Sequence, residues 1–482
     1  MNAPPLHPTR LALPFVLILY ALLATLFILR TPTWQAPDEP AHWNYVTTIV
    51  EEGCCPRLQS GDWDHKLLAE LTSQRFADAT PQQIRALQYE NHQPPLYYAL
   101  AAPIHRWSSG SVVSLRLWSA ILGLGIVFNA YRCGRILAPK QPAVATLTAL
   151  FVACLPQHVH ILASINNDAL AWLLISEALY LCLRLLQNTP VKTEAVVIAW
   201  LQLPIAAVWF FFSGSGAANV MVLAIFCCAV FPLTVLRRQP FPATYFALGN
   251  LIGLIFLTKT TAYLMLPVTL FVLWRCIDDP GLRWRGIAWY LLPALLLGAS
   301  WWLRNVNLYG WPDFLGLLQH NQVVVGQLRT ATLIAENGWW NYLTDLIRVT
   351  YTSFWGQFGW MALPLQGWRL FYTFLLSGLV ALGVVTRLNT RQTSSQTTMR
   401  TLLLLTLLTG AMFVGYNLMF VQWQGRYLYP ALIPIALAWS YGLLRCQQQL
   451  GRLGNAASSL VGISLPLFTL NLAWQVLPGL LP

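Results

Sequence analysis

The chain has 482 residues, 56% hydrophobic and only 10% charged, with a net charge of +12 and a mean hydropathy of +0.54. Soluble domains carry roughly 25% charged residues, so this composition excludes a soluble enzyme and describes an all-α polytopic membrane protein. The basic excess does not mark a nucleic-acid binder, because Lys and Arg collect in short segments between apolar runs and form no continuous patch. The 22 Trp and 18 Tyr suit the membrane–water interfaces, where amphipathic rings settle.

Taken in order, apolar runs of about 20 residues predict the spans. They fall at 11–30, 111–137, 142–162, 168–187, 195–213, 217–236, 241–258, 261–277, 286–303, 367–387, 401–421, 427–446 and 458–478, about thirteen in all. The first reads as a span, not a cleaved signal, since no small-residue cleavage site follows it. Short basic loops set the orientation. Arg10, Arg132, Arg135, Lys140, Arg184, Lys192, Arg237, Arg238, Arg275, Arg283, Arg285, Arg387, Arg391, Arg400, Arg445 and Arg452 all fall on one side, and make 16 of the 29 basic residues. The connections after spans three and five hold none. The expectation is a cytoplasmic N-terminus in a plasma or inner membrane, with the 31–110 and 304–366 loops outside. No internal repeat is visible. The C-terminus follows almost directly on the last span, so one integral membrane domain over 1–482 is expected.

The 31–110 loop holds nine of the 17 acidic residues. It opens on Pro37-Asp38-Glu39-Pro40-Ala41-His42, directly after an apolar helix, where a carboxylate pair is costly to keep near lipid. Pro40 suits the first turn of a helix, with Asp38 or Glu39 able to cap it. From Pro40 to Glu52 the pattern predicts a helix lying on the membrane surface, stopped by Gly53. Cys54 and Cys55 follow; a bridge between adjacent cysteines is strained and uncommon, which weighs against one. The loop closes on Tyr89-Glu90-Asn91-His92-Gln93-Pro94-Pro95-Leu96-Tyr97-Tyr98, whose prolines suit an extended lead-in to a helix. The second outer loop contains 339–360, too polar to span easily and predicted to be an interfacial or re-entrant helix. The third outer element is Gln424-Gly425-Arg426-Tyr427.

Three constellations can carry chemistry. Asp38, Glu39 and His42, with Glu90 and His92, offer a carboxylate base and cation ligands; mixed carboxylate and imidazole donors suit Zn²⁺ or Mn²⁺, and carboxylates with water suit Mg²⁺. The bland reading is a capped helix with solvated acids, and Glu39 stands as ligand, second-layer partner or cap. Ser164-Ile165-Asn166-Asn167-Asp168 stands at the outer end of spans three and four; Asn and Asp are good N-caps, so Asp168 most simply starts span four, with Asn167 and Asp168 as alternative substrate contacts. Lys259, Arg304 and Arg426 stand at separate outer ends, where each can snorkel or all can converge on a phosphate. No P-loop or dinucleotide glycine pattern occurs, so no nucleotide is expected.

These motifs resemble the GT-C superfamily of multi-spanning glycosyltransferases that use lipid-phosphate sugars. The acidic pair after the first span, the large first outer loop and Pro94-Pro95-Leu96-Tyr97-Tyr98 are similar to the protein O-mannosyltransferases and bacterial aminoarabinose transferases. Together with Asn166-Asn167-Asp168 and Gln424-Gly425-Arg426-Tyr427, they more closely resemble a bacterial group of GT-C-like membrane proteins, over nearly the whole chain. The resemblance implies a GT-C-like helical bundle with interfacial helices in its first outer loop. It also implies a polyprenyl-phosphate sugar donor, a lipid, glycan or protein acceptor, and Asp38 as the base. His92-Gln93 stands where the aminoarabinose transferases have Glu-Lys. His92 then falls at a metal-ligand position, and Gln93 replaces a phosphate-binding lysine that Lys259, Arg426 or a metal would have to replace. Glu90, Gln93 and Tyr427 are further substrate-contact candidates.

Two rival classes fit the composition. A transporter or lipid-glycan flippase would be expected to show repeated halves or mid-span ionisable residues. A glycan polymerase or ligase would be expected to rely on a large outer loop later in the chain. A non-catalytic scaffold is a further alternative.

Overall fold

The computed structural model of the chain describes residues 8–189, 192–214, 216–235, 240–388 and 393–481. Arg237, Arg238 and Arg391, used above for orientation, lie outside these residues, as do the side chains of Arg10, Lys192 and Arg387. The helices in chain order are α1 (Pro8–Arg30), α2 (Glu39–Glu52), α3 (His65–Ser73), α4 (Pro81–Arg85), α5 (Leu96–Trp107), α6 (Val112–Leu137), α7 (Pro142–Cys154), α8 (Pro156–Leu162), α9 (Asp168–Leu186) and α10 (Lys192–Phe211). There follow α11 (Gly216–Thr234), α12 (Pro240–Phe256), α13 (Met265–Cys276), α14 (Pro280–Tyr309), α15 (Leu317–Val323), α16 (Thr330–Asn337), α17 (Trp339–Trp355), α18 (Trp368–Leu388), α19 (Thr393–Asn417) and α20 (Leu432–Gln475). One antiparallel pair of two-residue strands, Gln357–Phe358 with Leu363–Pro364, completes the described secondary structure apart from short 3-10 turns.

Among the described residues, eight helical stretches are long and apolar enough to cross a membrane: α1, α6, α9, α10, α14, α18, α19 and the Gly425–Leu480 stretch containing α20. The protein is therefore an all-α polytopic membrane protein. Three of the expected spans, Ala218–Thr234, Phe241–Phe256 and Thr260–Cys276, are shorter apolar helices. The last two expected spans are carried by α20, broken at Gly451 (φ 56°, ψ −122°).

The expected span at 142–162 is two helices, α7 and α8, bent by 63°. Pro156 explains the break: it lacks an N–H and forces Leu155 out of the helical region, to φ −71° and ψ 113°. The carbonyls so released find side chains. His158 Nδ1 donates to the Val152 carbonyl at 2.9 Å, and the Thr469 hydroxyl donates to that of Cys154. A freed carbonyl inside a membrane must be matched in this way.

The chain forms two compact units, residues 1–37, 119–164 and 328–481 in the first, 38–118 and 165–327 in the second. In the second unit, α2 does not lie on a surface with one face exposed. Glu39–His42 and Asn44–Ile49 are all buried. The polar residues that read as water-facing are bonded within the loop: Asn44 Nδ2 donates to the carbonyls of Ile84 (2.6 Å) and Leu87 (2.7 Å), and Thr47 bonds His105 at 2.8 Å. The loop folds over its own first helix, a pairing that one segment's periodicity does not encode.

Gly53 ends α2 at φ 89°, and a Cβ there would lie 2.8 Å from Gly214 Cα. Beyond it, Cys54 and Cys55 are joined by a disulfide, against the expectation from sequence. The bridge sits in backbone held from outside: the Cys54 N–H donates to the Phe212 carbonyl at 2.8 Å. The stretch at 339–360 forms α17 followed by the short strand pair.

Candidate active site

Asp38 stands at the capping position of α2, but in left-handed backbone with φ 67° and ψ −3°. A capping side chain needs an extended backbone to reach back to the first helical N–H groups. Asp38 lacks that geometry, and its side chain makes no cap bond. The expected cap is absent, and the half-buried carboxylate instead accepts a hydrogen bond from Tyr89 Oη at Oδ1, 3.1 Å away. A non-glycine residue at positive φ is uncommon, and such strain gathers where a side chain must be aimed.

Glu39, next in the chain, has the opposite environment. It is fully buried, and Arg116 grips both its oxygens: Nε to Oε1 and Nη2 to Oε2, each at 2.7 Å. The Ile165 N–H adds a third bond to Oε1 at 3.3 Å. This fork-to-carboxylate pairing is the strong, orienting kind. Glu39 is therefore an internal anchor; its pairing with Arg116 disfavours the ligand reading, and it is not the cap. Arg116 was not singled out from sequence. The available signal was an arginine near the start of an apolar span, which calls for a partner.

One turn along α2, His42 Nδ1 bonds Tyr98 Oη at 2.8 Å. Tyr98 stacks on Tyr45 with ring centroids 3.8 Å apart, and Tyr45 Oη donates to the Gln93 carbonyl at 3.0 Å. His92 Nδ1 lies 3.0 Å from the Tyr89 carbonyl. A carbonyl only accepts, so Nδ1 carries the proton and Nε2 the lone pair. The His92 ring lies 4.3 Å from that of His320 on α15, a residue the sequence did not bring forward. Burial, with the nearby charges of His320, Lys259 and His42, holds His92 well below the usual imidazole range. Glu90 and Asp168 both lie within electrostatic reach of Tyr98. Among the described residues no three His, Cys, Asp or Glu side chains are grouped to hold a metal. Glu39, His42 and His92 thus do not fit a divalent cation as a set.

Lys259 is neither an isolated nor a snorkelling cation. Its Nζ lies 2.7 Å from Asp168 Oδ1 and 2.9 Å from Asn167 Oδ1. Asp168 starts α9, as expected, and lies in its first turn as the lysine's counterion, while Asn166 Oδ1 accepts the Asp168 N–H at 2.9 Å. Arg304 Nη2 donates to the carbonyls of Cys55 (2.9 Å) and Pro56, and Nη1 donates to Asn305 at 3.1 Å. Its guanidinium lies 4.6 Å from the centre of the Trp301 ring. Arg304 therefore ties the disulfide segment to α14.

The second unit thus gathers Asp38, His42, Glu90, His92, Asn167, Asp168 and Lys259, and Gln93 with them through Tyr45. Arg426 and Tyr427 belong to the first unit. There the Gly425 N–H donates to Ser353 Oγ at 2.8 Å, and a Cβ on Gly425 would meet Phe354 N at 2.3 Å. Only glycine permits that approach to α17, which fixes the backbone beside the buried Arg426. Half-buried Tyr427 meets Tyr416 edge-on at 5.6 Å. The chain matches no protein-family model and no curated protein.

Proposed function

We propose that this protein is a membrane glycosyltransferase that moves a sugar from a polyprenyl-phosphate carrier to an acceptor by a single inverting displacement, with Asp38 as the base. The observation that carries the reading is the division of the carboxylate pair. Glu39 is fully buried with Arg116 on both oxygens, and Asp38 is half-buried at positive φ, makes no cap bond to α2 and accepts from Tyr89. The Tyr89 hydroxyl holds the Asp38 carboxylate in place by donating to it, and a positioned carboxylate suits a base.

In the reaction, Asp38 takes the proton from the acceptor hydroxyl or amine as that atom bonds to the anomeric carbon. The bond from that carbon to the carrier phosphate breaks, and its electron pair leaves with the phosphate. No step runs through a metal. The shorter apolar helices, the α7–α8 pair and both halves of α20 would also cross the membrane in this reading, for about thirteen spans. The basic loops then face the cytoplasm and the 31–110 loop faces outward.

The test is turnover by purified wild type and Asp38→Asn on a panel of polyprenyl-phosphate sugars, read as release of polyprenyl phosphate. Removing a general base lowers the rate about 10²- to 10⁴-fold in a variant that elutes and melts like wild type. Wild-type turnover by Asp38→Asn would remove Asp38 from the role. Concentrative uptake without glycosyl transfer would replace the enzyme by a transporter.

A further inference from the structure

The start of α9 presents polar atoms that the described residues leave unmatched. Asn166, Asn167 and Asp168 are 1%, 0% and 4% exposed. Their bonds are divided unevenly. Asn166 Oδ1 accepts the Asp168 N–H, Asn167 Oδ1 accepts from Lys259 Nζ, and Asp168 Oδ1 pairs with the same ammonium. Asn166 Nδ2, Asn167 Nδ2 and Asp168 Oδ2 have no hydrogen-bond partner among the described residues, although each is buried. Because both amide oxygens are engaged, neither amide can be flipped without losing a bond, so each presents its NH₂.

Buried groups of this kind are matched by water or by a ligand, and each calls for an explanation. Two features favour a ligand, and a particular one. Two donors and an acceptor on three consecutive residues form the pattern that neighbouring hydroxyls satisfy, since a hydroxyl both donates and accepts. The charge is also already balanced, because Lys259 is neutralised by Asp168 at 2.7 Å. An anion brought here would meet the Asp168 carboxylate. The group also adjoins the candidate active site: Asp168 lies within electrostatic reach of Tyr98, and Lys259 within reach of His92.

We infer that Asn166, Asn167 and Asp168, braced by Lys259, form a subsite that reads the hydroxyls of a neutral sugar, in place of the phosphate contact expected of Lys259. The inference rests on the glycosyltransferase reading for the identity of the sugar, but not for its binding. The hydroxyls can belong to the donor's sugar or to a glycan acceptor; the recognition chemistry is the same.

Asn167→Asp tests this while keeping the oxygen that Lys259 holds and converting the unmatched donor into an acceptor. Asn166→Asp does the same at the neighbouring position. Binding of a panel of methyl glycosides, and separately of inorganic phosphate, is measured by thermal shift and calorimetry on the purified full chain. The expected result is glycoside binding by wild type, weakened about tenfold or more in a variant that still folds, with no phosphate binding that depends on Asn167. The binding arm needs no turnover. Glycoside binding lost in Asn167→Asp, in a protein with no transferase activity, supports the subsite and refutes only the enzyme reading. With turnover in hand, a raised KM for the donor or for the acceptor assigns the hydroxyls to one of them. Three outcomes overturn the inference: no glycoside bound by wild type, unchanged affinity in both folded variants, or Asn167-dependent phosphate binding.

Discussion

Removing Arg116 tests how the carboxylate pair is built. The guanidinium and Glu39 are 2% and 0% exposed and share two bonds of 2.7 Å. Arg116→Leu leaves a buried carboxylate without its countercharge, and breaking a buried pair from one side costs about 3–5 kcal/mol. Glu39→Gln takes the charged partner of both 2.7 Å bonds from the guanidinium. The double variant, Glu39→Gln with Arg116→Leu, removes both charges, and its loss should fall short of the two single losses added together by more than about 1 kcal/mol. Reversible unfolding in mixed micelles, followed by tryptophan fluorescence, supplies all four corners of the cycle. The arrangement also ties stability to the site, because Glu39 adjoins Asp38. If the proposed function holds, glycosyl transfer should therefore fall in Glu39→Gln even under conditions where the variant stays folded. An Arg116→Leu protein within about 1 kcal/mol of wild type, the range of a solvent-exposed pair, would refute the reasoning. So would additive losses.

The remaining expectations concern pH and packing. His92 is held below the ordinary imidazole value of 6.5 by burial and by His320, Lys259 and His42, so the unfolded chain binds its proton first as pH falls. Stability should therefore be unaffected by this group above 6.5 and decline below it, until the folded pKa is reached. His92→Gln, which can still donate to the Tyr89 carbonyl, should flatten that acid limb in a pH series of unfolding midpoints; an unchanged limb would contradict the assignment. Gly425→Ala would place a Cβ 2.3 Å from Phe354 N and 2.5 Å from the Thr350 carbonyl, both rigid backbone atoms. Overpacking of this kind costs about 1–3 kcal/mol, and a lowered melting temperature together with displacement of Arg426 is expected. A variant with wild-type melting would show that the segment yields.

The segments of this protein were legible because each is a local property. A run of apolar residues predicts a helix, and α1, α6, α9, α10, α14, α18 and α19 lie where such runs fall. Pro94 and Pro95 before α5, and Gly53 after α2, mark real boundaries for the same reason. The carboxylate pair beside a span was legible too. The roles of the two carboxylates were not. Glu39 and Asp38 differ by one position, yet one is bound to an arginine 77 residues away and the other is presented in left-handed backbone.

Periodicity and turn chemistry act over a few residues, so the sequence by itself determined the helical segmentation, the apolar spans and the clustering of acids in the 31–110 loop. Partnership between distant side chains depends on how whole segments come together. Only the tertiary structure decided that Lys259 neutralises Asp168, that Arg304 holds backbone carbonyls, that His320 joins His92 and that Cys54 bridges Cys55. For Lys259 and Arg304 the free energy of burying a charge is met by groups far along the chain, and no local pattern encodes which ones.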